Sequence, residues 1–116
     1  MRDFVIYHNP KCSKSRSTLG LLQECGATPR VVEYLKTPPT VAELTAIVTK
    51  LGVRPEALVR KGEDVYKAKY AGKALTDDEW IVAMVRDPIL IERPIVVAGQ
   101  RAVIGRPPEN VLGLIK

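Results

Sequence analysis

The run His8-Asn9-Pro10-Lys11-Cys12-Ser13-Lys14-Ser15-Arg16 sets one thiol among three cations, Lys11, Lys14 and Arg16. Residues 4–23 hold no carboxylate at all. Phe4-Val5-Ile6-Tyr7, apolar, β-branched and aromatic, precedes the run and reads as a buried strand. Leu19, Leu21 and Leu22 follow it and begin an apolar helical face. Cys12 is therefore expected where a strand ends and a helix begins. The first amides of a helix lack partners inside it, and its aligned peptide dipoles leave partial positive charge there. A thiolate at that place is stabilised and its pKa falls. The pattern points to a nucleophilic Cys12 beside an anion site.

The neighbours admit two roles each. His8, the single histidine, is either a strand-end residue bonded to backbone or a group that favours the thiolate, as imidazolium or as a hydrogen-bond donor. Ser15 either donates to the sulfur or caps the helix. Asn9 either fixes the loop or tolerates its dihedrals. Cys25 lies thirteen residues beyond Cys12, near the other end of the same helix. At ~1.5 Å per residue the two are roughly 20 Å apart, whereas a disulfide needs Cα atoms within roughly 7 Å. Cys25 is expected to be a bystander, and any reductant must come from outside. Ser at position 15 excludes a Cys-x-x-Cys dithiol, and Thr at position 18 excludes a Cys-x₅-Arg phosphate cradle. One His and two distant Cys are not expected to bind metal.

The elements that must position the thiol follow from periodicity. Strand 4–7, helix 13–24 and strand 30–35 form a βαβ unit, normally parallel and right-handed. Residues 40–86 read as a block of helices. Thr40 and Glu43 form a capping-box pattern, and Thr76-Asp77-Asp78-Glu79 opens the last helix of this block. Strand 94–98, a Gly99-Gln100 turn, strand 101–104 and a helix 109–115 complete the chain. The expected fold is α/β, a mixed four-stranded sheet of thioredoxin-like topology, with a helical insertion at about 40–86. At 116 residues, 46% hydrophobic and 27% charged, one soluble domain is expected. The net charge of +5 suits an anionic substrate. Spread-out basic residues and few aromatics argue against nucleic acid. Glu92 and Arg93 interrupt the longest apolar stretch, residues 88–99, so no membrane span is expected. No secretory signal is read before the first strand, and a cytoplasmic location is the expectation.

The run from Tyr7 to Arg16 resembles the active-site loop of the glutaredoxin-dependent arsenate reductases, the ArsC family. The likeness continues through Tyr34-Leu35, Thr37-Pro38-Pro39-Thr40, Leu58-Val59-Arg60-Lys61, the stretch from Asp87 to Val97, and Gly105-Arg106-Pro107-Pro108. It is nearest to short members, which lack the C-terminal extension of longer ones. The resemblance implies that Cys12 attacks arsenate, that glutathione then adds as co-substrate, and that glutaredoxin resolves the mixed disulfide. No bound cofactor is implied. It also implies that Arg60, Arg93 and Arg106 bind the oxyanion. Guanidinium suits that task, as a fixed fork of donors that stays charged. In the thioredoxin-like fold the proline after Arg93 is typically cis and faces the cysteine, which would aim Arg93 at Cys12. Two other functions are compatible with the resemblance. One is a thiol oxidoreductase acting on another oxyanion or on glutathione mixed disulfides. The other is a non-enzymatic regulator like the Spx relatives, against which the missing second motif cysteine counts.

Overall fold

In the computed structural model, which describes residues 3–115, Phe4–His8 forms strand β1 and buries alternate residues. Helix α1, Ser13–Glu24, follows, and strand β2 is Arg30–Glu33. β2 pairs parallel with β1, from Val5 opposite Arg30 to His8 opposite Glu33. Strand β3, Ile95–Ala98, lies antiparallel on the other side of β1, and β4, Arg101–Ile104, pairs antiparallel with β3. The sheet order is β2-β1-β3-β4, the expected mixed sheet. All four residues of β3 are buried, as a central strand covered on both faces requires.

The chain divides into two compact units, one formed by the chain up to Thr37 and from Arg93 onward, the other by Pro38–Glu92. In the first, Phe4, Ile6, Leu22, Ala27, Val96, Ala98, Val111 and Leu114 make the core, with Leu19, Leu21 and Val103 packed at its margin. The second contains helices α2 (Val41–Leu51), α3 (Asp64–Lys69) and α4 (Asp77–Arg86). Capping boxes open α2 at Thr40 and Glu43 and α4 at Thr76 and Glu79, as their spacing predicts. Gly52 ends α2 at φ 70, a left-handed conformation in which a Cβ is strained. Tyr66 stacks on Trp80 with ring centroids 6.2 Å apart. Among the described residues no helix is long and apolar enough to cross a membrane.

The structure departs from the sequence expectation at element boundaries and at one helix face. β2 stops at Glu33 rather than Leu35, because the amides of Lys36 and Thr37 turn back onto the Glu33 carbonyl, each at 2.9 Å. The last helix is not one α-helix over 109–115. A 3₁₀ turn, Pro108–Val111, precedes a short α-helix, α5, Leu112–Ile115, and the Asn110 amide bonds the Pro107 carbonyl at 3.1 Å, the tighter i→i+3 pattern. The inward face of α1 is Ser15, Thr18 and Leu22, so only one of the three leucines expected there is fully buried.

Thr76→Ala removes the hydroxyl that accepts from the Glu79 amide. It is expected to cost about 1 kcal/mol, read as a lower urea midpoint with an unchanged denaturant slope.

Candidate active site

Cys12 is the residue immediately before α1, with extended backbone (φ −95, ψ 123). Its amide donates to the Asn9 carbonyl at 3.0 Å, closing a turn, and its own carbonyl accepts the first helical bond from Arg16 at 3.0 Å. Asn9 does fix the loop: its Oδ1 accepts from the Lys11 amide at 3.0 Å. Arg16 braces the same loop by donating to the Pro10 carbonyl at 2.9 Å. The thiol is thus presented at the helix start by a short, self-bonded loop, as the strand-to-helix reading required.

The sulfur closes no capping hydrogen bond of ordinary geometry, yet its electrostatic setting is cationic. Partial burial by itself would raise the thiol pKa. The Arg93 side chain hydrogen-bonded to the sulfur, the amides of Ser15 and Lys14, and the Arg93 charge outweigh that, and the thiol is held below its ordinary range. Arg93 shifts reciprocally. Burial alone would weaken its charged form, but the contacts with Cys12 and with Tyr34 raise its pKa. The Arg93–Pro94 peptide bond is cis, and Arg93 is aimed at Cys12 as expected.

His8 and Ser15 are arranged differently from either role read in the sequence. His8 is buried, and its Nδ1 lies 2.6 Å from Ser15 Oγ. Burial, aided by the Arg16 charge and opposed by Glu33, holds its pKa below the ordinary histidine value. That shift disfavours the imidazolium form considered above. Ser15, fully buried, accepts from the Asn9 amide at 3.0 Å through the same hydroxyl. Its action on the sulfur is through its backbone amide, while its side chain ties the loop to the end of β1.

The arginines fall into both units. Arg93 and Arg106 belong to the unit that carries Cys12. Arg106 is exposed and also precedes a cis-proline, Pro107. Arg60 belongs to the other unit, where it donates to Glu63 and to Glu92, each at 3.2 Å. Its charge is balanced there by two carboxylates. Cys25 is the residue immediately after α1 and is exposed, so the whole helix separates the two thiols. Among the described residues no group of three or more His, Cys, Asp or Glu is gathered to hold a metal ion.

Two residues contribute that the residue chemistry alone did not single out. Tyr34 is 1% exposed and contacts Arg93. Its signal was topological, since Glu33 pairs with His8 and the next residue falls beside the end of the cysteine strand. Thr18 is fully buried, and its signal was the polar stripe Ser15–Thr18 running into Leu22 at helical spacing.

A family model for the ArsC family matches residues 7–114. The chain belongs to the ArsC family. YfgD of Escherichia coli (strain K12), named as uncharacterized, is 51% identical over 112 residues, covering 95% of this chain and 94% of its own. A Neisseria meningitidis protein named arsenate reductase is 42% identical, covering 96% and 97%. The solved structure of an arsenate reductase from Vibrio cholerae superposes with a TM-score of 0.93 at 49% identity over 97% of both chains. The ArsC-family fold is thioredoxin-like α/β, as expected from the element order.

The depressed thiol pKa has a pH signature. A group whose pKa is lowered by folding stabilises the fold above its ordinary value and loses that contribution as pH falls through its folded value. Wild-type stability relative to Cys12→Ser is therefore expected to decline with falling pH below the ordinary thiol range, in parallel thermal-unfolding series. In Arg93→Met this decline is expected to be smaller and to end at higher pH, because only the folded-state value rises.

Proposed function

We propose that this protein is an arsenate reductase in which Cys12 is the nucleophile and glutathione and glutaredoxin supply the electrons. The observation that carries the reading is the pairing of the helix-start Cys12 sulfur with the Arg93 guanidinium. Relatives named arsenate reductase at 42% and 40% identity support the substrate. Nucleophile and substrate are both anions, and cations at a partly shielded site offset their repulsion. Arg93 and Arg106 supply such charge in the Cys12 unit, with Arg60 the third ligand that the family resemblance implies.

The Cys12 thiolate attacks arsenic(V), an S–As bond forms, and one oxygen leaves as water after taking up protons. A glutathione thiol then adds. As the sulfur–sulfur bond forms between Cys12 and glutathione, the electron pair of the S–As bond passes to arsenic, which leaves as arsenite. Glutaredoxin takes the glutathionyl group and returns the Cys12 thiolate. Two thiols thus end as one disulfide for each arsenic reduced. Cys25, exposed at the far end of α1, cannot be the second thiol while the helix stands. His8 and Ser15 act by holding the loop that presents the sulfur.

One observation favours a second reading. The Arg60 charge is already met by Glu63 and Glu92, which leaves fewer uncommitted cations for a multiply charged oxyanion. A thiol oxidoreductase acting on a less charged oxyanion or on glutathione mixed disulfides would need fewer.

NADPH oxidation in the presence of glutathione, glutaredoxin and glutathione reductase separates these. Arsenate-dependent turnover is expected in wild type, falling to background in Cys12→Ser and largely retained in Cys25→Ser. Turnover with a glutathionylated peptide but none with arsenate would favour the second reading. An inactive but folded Cys25→Ser would point to an internal disulfide.

A further inference from the structure

Three segments of the Cys12 unit meet at Gly105. Its amide donates to the Pro94 carbonyl at 2.8 Å, and its carbonyl accepts from the Thr18 hydroxyl at 3.1 Å. The same hydroxyl lies 2.8 Å from the Lys14 carbonyl, so one hydrogen is shared between helix and loop. Pro94 directly follows Arg93, Gly105 directly precedes Arg106, and Thr18 lies on the helix that Cys12 opens. Asn110 holds the loop from its other side, its amide donating to the carbonyls of Ile104 at 3.0 Å and Arg106 at 3.2 Å.

The contact at Gly105 is too close for any side chain. A Cβ there would fall 2.7 Å from Thr18 Oγ1, 2.8 Å from Thr18 Cγ2 and 3.0 Å from Pro94 Cγ, well inside the ~3.5 Å of ordinary carbon contact. Neither neighbour can step aside. Thr18 is β-branched and fully buried, and Pro94 is a buried ring.

We propose that Thr18 and Gly105 are positioning residues for the thiolate site. Their junction fixes the backbone beside Arg93 and Arg106 against the helix that carries Cys12, so the guanidinium that meets the sulfur is held by the fold and not only by its own charge. The inference rests on Cys12 being a nucleophile paired with Arg93. It does not rest on arsenate being the substrate.

The test reads Cys12 directly, by its rate of alkylation with iodoacetamide against pH in a Cys25→Ser background. Thr18→Val keeps the branched shape but removes the donor and leaves the Gly105 carbonyl without it. Its profile is expected to shift to higher pH, with alkylation at pH 7 slowed by about threefold as the thiolate fraction falls. Thr18→Ser keeps the donor and should retain the wild-type profile. Gly105→Ala should shift in the same direction as Thr18→Val. A folded Thr18→Val with a wild-type profile would overturn the proposal. If Thr18→Val does not fold, Gly105→Ala decides: a profile displaced to higher pH supports the junction, and a wild-type profile refutes it. Because no arsenate is present, failure here is distinct from failure of the arsenate reading, which would appear only as absent turnover.

Discussion

The contact between the Cys12 sulfur and the Arg93 guanidinium is the constraint on which the rest of the first unit depends. A thiol half out of water tends to stay protonated, and burial at this site pushes it that way. Only a fixed cation and the open amides of a helix start reverse the balance. That requirement accounts for a loop of residues 9–12 closed on itself, for a helix that begins with no acidic side chain in its first turn, and for an arginine brought from the other end of the sequence. It also accounts for the buried His8–Ser15 pair. The Ser15 hydroxyl, bonded to the His8 ring and to the Asn9 amide, ties the loop to the end of β1.

The two-thiol requirement of a two-electron reduction shapes the remaining chemistry. One thiol sits at the start of α1 and the other just past its end, a separation that a rigid helix maintains. In the proposed reduction the protein is then half of a redox couple, with an external thiol as the other half. The three arginines named by family likeness are also not equivalent. Arg93 touches the sulfur, Arg106 lies in a loop pinned through Gly105 and Asn110, and Arg60 is engaged by two carboxylates of its own unit.

Much of this was legible in the sequence because it rests on local rules. The start of α1, the capping box at Thr40, the helix start at Thr76, the parallel β1–β2 pair and the hairpin follow from periodicity and cap chemistry. The position of Cys12 followed from the same reading. What was not legible depends on contacts distant in sequence. The partner of Ser15 is seven residues away, across a turn, and the partner of Thr18 is eighty-seven residues away. No local pattern announces either. The true inward face of α1 was misread because leucines at 19, 21 and 22 outweighed polar Ser15 and Thr18, although those polar residues with Leu22 make the stripe. The tight final turn was misread because two adjacent prolines, Pro107 and Pro108, favour i→i+3 bonding over a regular helix.

The most direct measurement is intact-protein and peptide mass spectrometry after incubation with arsenate and glutathione, with glutaredoxin left out. Without the resolving partner, the cycle should stop at the mixed disulfide. The expected result is one glutathione per chain, attached at Cys12, accumulating only when arsenate is present. An unmodified Cys12, or a Cys12–Cys25 disulfide in its place, would contradict a Cys12-centred reduction completed by an external thiol.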